Sequence, residues 1–463
     1  MSIWPPDPST LERPAYHSLA MCLMRAIDAD ELRPGTRLPT QRALAFELGL
    51  SVQTVSRAYE QLTRLGIITG HVGRGSFVAA RQTDASLPWQ RPPGTDALID
   101  CAMLTPVLGA PQAAAMSRTL RDMGGDIGEG VLFSFRPRET LRDHCAAVLP
   151  WLARCGLDLD GPERVLPTNG STAAMTCALM TALKPGDLLV ADAMGHHTLP
   201  SLASALGLKL EGLDGDAQGI LPDAFARICR QTRVRAIYLM PAGLGPTATP
   251  MDGARRQAIV DIARAENVWI IENDAWGPLD PDRGPPIAGL APERTFYFTG
   301  LTKCLLPGLR IGWLVTPDGM IHAARTRHLV SNWMATPLIA DIATRWMTDG
   351  TAAALLDWQR AQLAQRKALA ARLLANVAHR VSPAGMHVWL PLPDRWREDG
   401  FVTLARTNGV GVAAGANFAV PGTVHLRGVR ICLGAGSEAD IDTALRIVAR
   451  LVDVAPEDAL LAI

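Results

Sequence analysis

From about Leu98 to the C-terminus, short apolar runs alternate with helix-like segments, and this alternation restricts the fold more than any other feature of the chain. Leu188-Leu189-Val190, Ala236-Ile237-Tyr238-Leu239-Met240 and Val268-Trp269-Ile270-Ile271 are apolar at successive positions, so both faces of such a strand need cover. The pattern predicts an α/β fold with a mainly parallel sheet between layers of helix. The last 110 or so residues open on a long polar-apolar helical stretch near 352–378 and suit a smaller α+β subdomain over about 350–463.

The first 80 residues read differently. A helix is predicted from about Tyr16 to Ala29, with Leu19, Leu23, Ala26 and Ile27 apolar, and Leu32-Arg33-Pro34-Gly35 is a turn. Thr40 stands where a cap would sit before a second helix, and Ser51 can cap a third that runs through Leu65. Gly66-Ile67-Ile68 and Gly73 to Val78 read as two short strands around a glycine-rich tip. Residues 79–97 lose hydrophobic period and gain Pro, Gln, Ser and Thr, the composition of a linker. The expected organisation is a small domain over 1–80, a linker over 81–97 and a large unit over 98–463. A chain of 463 residues has room for such a division.

The 45 basic and 45 acidic side chains cancel, so any footprint for nucleic acid has to be local. One is present: Arg33, Arg37, Arg42, Arg57, Arg64 and Arg74 face only Glu47 and Glu60 across that stretch, a net of +4 (six minus two). Ser51, Gln53, Thr54 and Arg57 fall on the first turns of the third helix, where side chains reach base edges in a major groove. Arg42 is placed for phosphate or a base, and Arg74 at the tip for the minor groove. For the arginines alone, a solvated charged face is the competing reading. The eight cysteines are scattered, which favours reduced thiols, and the start of the chain has neither a basic nor an apolar leader segment. With no apolar run of membrane length, a cytoplasmic protein without membrane contact is expected.

The turn Leu32 to Arg42, the phrase Gly49-Leu50-Ser51-Val52-Gln53-Thr54-Val55 and the wing Gly73-Arg74-Gly75-Ser76-Phe77-Val78 together resemble the GntR-type winged helix-turn-helix. The resemblance implies binding to double-stranded operator DNA as a homodimer.

Only four lysines occur, so Lys303 within Thr299-Gly300-Leu301-Thr302-Lys303-Cys304, followed by Arg310, is unlike a chance surface residue. The segment resembles the Schiff-base lysine phrase of fold-type I pyridoxal-phosphate enzymes. The resemblance implies Lys303 as the imine-forming amine, with Thr302 beside it and Arg310 for the phosphate of pyridoxal 5′-phosphate. Asn169-Gly170-Ser171-Thr172 is similar to the loop whose backbone N–H groups bind that phosphate, so Ser171 and Thr172 join the cofactor set. Ile271 to Gly277 resembles the strand end that faces the pyridine ring, and Val429-Arg430-Ile431 the strand whose arginine clamps a carboxylate. A winged helix joined to this fold is the architecture of the MocR-type regulators, a GntR subfamily.

Departures from that pattern are equally informative. The pyridine-binding aspartate aligns with Asn273, with Asp274 one place later, and which of the two meets the ring nitrogen stays open. The ring-oxygen tyrosine is Trp276, the Asn-Pro pair is Gly245-Pro246, and the first serine of the lysine phrase is Gly300. The ring-stacking aromatic falls in Gly195-His196-His197, so either His196 stacks on the ring or the histidine pair lies at the surface. Groups that hold the cofactor and exchange amines on it remain; those that speed proton abstraction are weakened. The expectation is therefore a regulator that senses a small amino-acid-like effector through an external aldimine at Lys303, with Arg430 on its carboxylate. At most it is a weak aminotransferase. A working aminotransferase and a vitamin-B6 sensor are the alternatives. Among subfamily effectors, an ectoine-derived diamino acid is suggested by Trp276, Trp313 and Trp333.

Overall fold

The structure, a computed structural model, describes residues 4–11, 13–28, 31–33, 35–64, 67–71, 75–78, 98–133 and 135–454. Arg74 and the linker expected over 81–97 lie outside the described residues.

In the N-terminal unit, helices α1 (Ala15–Asp28), α2 (Gln41–Leu48) and α3 (Val52–Arg64) enclose Leu19, Leu23, Leu44, Val55 and Leu62, each 0% exposed. The Thr40 hydroxyl accepts from the Ala43 N–H and fixes the start of α2, and Gly49 ends it in the left-handed region at φ 62°. Ser51 Oγ accepts from Thr54 N at 3.0 Å, which caps α3 as its sequence suggests. Strands β1 (Ile68–His71) and β2 (Gly75–Val78) pair antiparallel, Ile68 opposite Val78 and His71 opposite Gly75. The first strand thus starts two residues later than the run Gly66-Ile67-Ile68 implied.

The large unit is built on a seven-stranded sheet: β3 (Val165–Thr168), β4 (Leu188–Asp192), β5 (Lys209–Leu213), β6 (Val234–Leu239), β7 (Trp269–Asn273), β8 (Thr295–Gly300) and β9 (Gly312–Val315). Their order is β3-β9-β8-β7-β6-β4-β5, and only β9 runs antiparallel to its neighbours. The strands that read as apolar on both faces are buried on both. Every residue of β8 and β9 is buried, and helices pack on either side, among them α4 (Ser171–Ala182), which lies against β9. This is the mainly parallel, helix-covered sheet that the alternation demands.

A long helix, α5 (Thr351–Leu373), leads to a four-stranded antiparallel sheet of β10 (Arg380–Val381), β11 (His387–Pro391), β12 (Ala413–Ala414) and β13 (Gly428–Cys432), ordered β10-β11-β13-β12. The helix stops short of the expected residue 378. Leu374 is buried in the core of this subdomain, and the Val377 N–H bonds back to its carbonyl to turn the chain towards β10. The two-residue strand Ile99–Asp100, which follows the linker in sequence, pairs in parallel with Val410–Gly411 in the same region. Among the described residues, no helix is long and apolar enough to cross a membrane.

Candidate cofactor and effector site

The connection from β8 to β9 carries both Lys303 and Arg310, and three glycines let it press against the start of α4. A Cβ on Gly312 would lie 2.7 Å from the Thr299 carbonyl oxygen and 3.1 Å from Ser171 N. One on Gly300 would lie 3.1 Å from Ser171 Oγ, so a side chain there would crowd the helix start. Gly170, at φ +84°, leaves room for the Arg310 guanidinium, whose Nη2 would be 3.2 Å from an added Cβ. Arg310 itself holds a left-handed backbone (φ 44°, ψ 37°), a costly conformation for a residue with a side chain.

This corner is short of acceptors. Gly170 caps α4 with no side-chain bond to its first N–H groups, the guanidinium stands beside them, and Thr302 Oγ1 is buried without a partner. Amide donors at a helix start, a cation and an orphaned hydroxyl fit a phosphate group. Ser171 is half-buried at this turn and Thr172 is exposed on it.

Lys303 Nζ donates to the Leu104 carbonyl, on the segment that enters from the linker. Its ammonium is pushed down from 10.5 to about 8, first by burial and then by the Arg430 and Arg310 charges, against an opposing pull from Cys432. Arg430 reaches the same place from β13. Its Nη2 donates to the Ala102 carbonyl at 2.9 Å, its Cζ lies 4.5 Å from the centre of the Phe418 ring, and its Nε is buried without a partner. His196 stacks on His197 at 4.6 Å, and the His197 ring meets Phe418 edge-on. Burial lowers both imidazoles, His197 to about 4, with Arg430 and Lys303 adding to the effect. The pair therefore belongs to the Lys303–Arg430 neighbourhood as neutral rings, not to the open surface.

Asn273 ends β7 and Asp274 follows it, both 1% exposed, and their partners separate them. Asp274 Oδ2 takes Arg283 Nη1 at 2.6 Å and the Tyr297 hydroxyl, while its Oδ1 is buried without a partner. Burial pushes this carboxyl up, and Arg283 works against that. Asn273 Nδ2 donates to the Tyr238 hydroxyl at 2.6 Å, and its Oδ1 accepts from Ala275 N. Trp276 is buried, edge-on to His387 at 5.5 Å. His387 Nε2 sits 3.1 Å from the Pro246 carbonyl, so that nitrogen carries the hydrogen, and burial lowers the ring to about 3.

On the winged unit, Arg42, Ser51 and Gln53 are exposed, and Thr54 is half-buried with its hydroxyl 2.8 Å from Ser51 Oγ. Arg57 is exposed as well, and its guanidinium lies over the Tyr16 ring at 4.5 Å, bracing α3 on α1. The structure thus gathers Ser171, Thr172, Thr302, Lys303, Arg310, His196 and Arg430 around one end of the large sheet, and Arg42, Ser51, Gln53 and Thr54 at the α2–α3 junction. Sequence reasoning missed Tyr238, which stood only as a member of an apolar run, Arg283, Tyr297, His387 and Phe418, which lie outside every quoted phrase, and the carbonyls of Ala102 and Leu104.

Comparison with known proteins agrees with this division. Residues 15–78 match the model of bacterial regulatory proteins of the gntR family, and residues 130–448 match that of aminotransferase class I and II. The chain is 28% identical to the uncharacterized HTH-type transcriptional regulator YdeF of Bacillus subtilis (strain 168), covering 97% of each. It is 24% identical to the vitamin B6 salvage pathway transcriptional repressor PtsJ of Salmonella typhimurium, over 90% of this chain and 94% of that one. An archaeal alanine:glyoxylate aminotransferase shares the fold at a TM-score of 0.71 and 21% identity, covering 76% of this chain and 90% of its own. With most of its length in the aminotransferase match and a DNA-binding unit before it, the chain belongs to the aminotransferase class I and II family, as a gntR-type transcriptional regulator fused to that domain.

Proposed function

We propose that this protein is a MocR-type regulator that anchors pyridoxal phosphate on Lys303 and reads an amino-acid-like effector there, as a homodimer on double-stranded operator DNA in the cytoplasm. One observation carries the reading: Lys303, with an amine pushed towards neutrality, shares the β8–β9 connection with the Arg310 that backs an acceptor-poor helix start. The cofactor, when bound, supplies an aldehyde on which one amine can replace another. Lys303 holds it covalently, and Arg310, Thr302 and the first amides of α4, with Ser171 and Thr172, hold its phosphate. His196 is the candidate for stacking on the ring.

Arg430, with an unpartnered buried Nε, is placed to bind the carboxylate of the incoming amino acid in a fork. Both amide atoms of Asn273 are bonded and Asp274 Oδ1 is buried without a partner, so the ring nitrogen has two candidates, of which the amide could not hold a proton there as a carboxylate does. Trp276 brings no hydroxyl. The hydroxyl missing at Trp276 favours a sensor over rapid turnover. The tryptophans do not form one effector-facing set: Trp313 is buried and bonded to His144, while Trp333 is 51% exposed. The reading therefore rests on an amino carboxylate as a class, and an ectoine-derived diamino acid gains no support from them. Exposed Leu132, Phe133, Phe135, Val330 and Trp333 support burial against a second copy.

The test is absorbance. Pyridoxal phosphate should give an imine band that shifts with certain amino acids and is lost in Lys303→Ala; a protein that stays colourless refutes the reading. A second reading, in which the cofactor is itself the signal, gains weight from the likeness to PtsJ. DNA affinity that responds to pyridoxal phosphate alone, and to no amino acid, would select it.

A further inference from the structure

The chain leaves the linker and runs straight past the two residues on which the proposed function depends. Ile99 N donates to the Gly409 carbonyl at 2.9 Å and Cys101 N to that of Gly411 at 2.8 Å, which ties the segment to the small subdomain. The Cys101 carbonyl accepts from Cys432 N at 2.8 Å. One residue on, the Ala102 carbonyl accepts from Arg430, and two further on, that of Leu104 accepts from Lys303 Nζ. The Thr105 carbonyl then passes so close to Gly434 that a Cβ there would be 1.7 Å away. Finally Val107 is pinned: Gln112 Nε2 donates to its carbonyl at 2.9 Å, and the Gln359 amide of α5, in its paired orientation, bonds both its N–H and its carbonyl.

We infer that residues 101–107 form a strap that reads the chemical state of Lys303. The inference rests on the reading of Lys303 as the cofactor's anchor. As a free amine, Nζ donates to the Leu104 carbonyl. When it condenses with an aldehyde, both its hydrogens leave with the aldehyde oxygen as water, and a carbon–nitrogen double bond takes their place. That nitrogen has no neutral donor left for Leu104, and its position is dictated by the new bond. The strap is held at Cys101 and Ala102 on one side and at Val107 on the other, so slack created at Leu104 stays between them. An effector amine that replaces Nζ on the cofactor carbon gives the lysine its hydrogens back and lets the strap re-fasten. Arg430 need not release Ala102 in this cycle, because a guanidinium has donors to spare for a carboxylate. What the strap reports is therefore whether Nζ is bonded, not whether the pocket is full.

Pyridoxamine phosphate separates those two quantities, since it has nearly the shape of pyridoxal phosphate but an aminomethyl group in place of the aldehyde. Hydrogen exchange of the full-length protein is measured over residues 98–107 with no addition, with pyridoxal phosphate and with retained pyridoxamine phosphate. Absorbance is recorded on the same samples. Pyridoxal phosphate should speed exchange in this segment by about tenfold, the equivalent of about 1.4 kcal/mol of lost protection. Pyridoxamine phosphate should leave it within about twofold of the unloaded protein. Gly434→Ala, which forces the Thr105 carbonyl away, should exchange fast in all three samples, and the ligand comparison decides the matter should that variant not fold. Equal effects of the two ligands, or an imine band with no change in exchange, overturn the inference and leave the anchor intact. Absence of the band overturns the anchor itself, and the strap with it.

Discussion

At pH 7.5 an ordinary lysine is about 0.1% neutral, whereas one whose ammonium titrates near 8 is about 25% neutral, roughly 250 times more amine for attack on an aldehyde. The imine-forming rate with pyridoxal phosphate should therefore rise with pH and level off above about 8, where a free lysine analogue would still be climbing towards about 10.5. Burial is the first cause of the shift and the Arg430 charge the second, so Arg430→Met should move the inflection upward and slow capture at neutral pH. Stopped-flow absorbance across about pH 6 to about pH 9.5 reads both effects, with Lys303→Ala as the blank. Salt should change little, because these charges face each other inside the protein. An inflection that stays near the free-lysine value, or that Arg430→Met leaves in place, would refute the account of Lys303 as an amine tuned by its surroundings.

Arg310→Gln removes a cation from the phosphate corner and relieves no packing. It should weaken pyridoxal phosphate binding by about ten- to a hundredfold, from a charged hydrogen bond worth about 1.5–3 kcal/mol, as read by equilibrium dialysis. Arg283→Met strands a carboxylate that is 1% exposed and should cost about 3–5 kcal/mol in denaturant unfolding. Adding Asp274→Asn should recover part of that loss, and a full-sized loss in the double variant would show that the pair is not the cause. On DNA, Arg42→Ala should lower affinity across sequences and reduce the log-salt slope by about 1, whereas Gln53→Ala should alter sequence preference; fluorescence anisotropy with a salt series separates them.

Residues held close in sequence were the legible part of the site. Thr40 and Ser51 act as caps because a hydroxyl reaches a backbone amide three residues away, a purely local geometry. Lys303 and Arg310 stand seven residues apart on one connection, so their spacing announces a common role. The alternation that begins near Leu98 fixed the sheet as mainly parallel, but it held no sign that β9 would run the other way between β3 and β8. The α5 helix ended early because Leu374 is drawn into a core that only tertiary packing defines. Asp274 finds Arg283 across a loop and Tyr297 on the next strand, and His387 meets Trp276 from a different sheet. No periodicity encodes such meetings. Arg57 carries the charge expected of a DNA contact, and nothing in its sequence neighbourhood announces the aromatic partner it has on α1. The least readable partner of all is the Leu104 carbonyl, since every residue possesses one.

Because Lys303 and Arg310 ride on the single loop between β8 and β9, grip on the vitamin is set within one rigid frame, whereas Arg430 arrives on a strand of the other sheet. On the proposed function, retention and response thus draw on different sheets, joined by the Arg430 charge beside Lys303. A lineage could retune which metabolite it answers to by altering the subdomain around β13, so long as a cation stays beside that lysine.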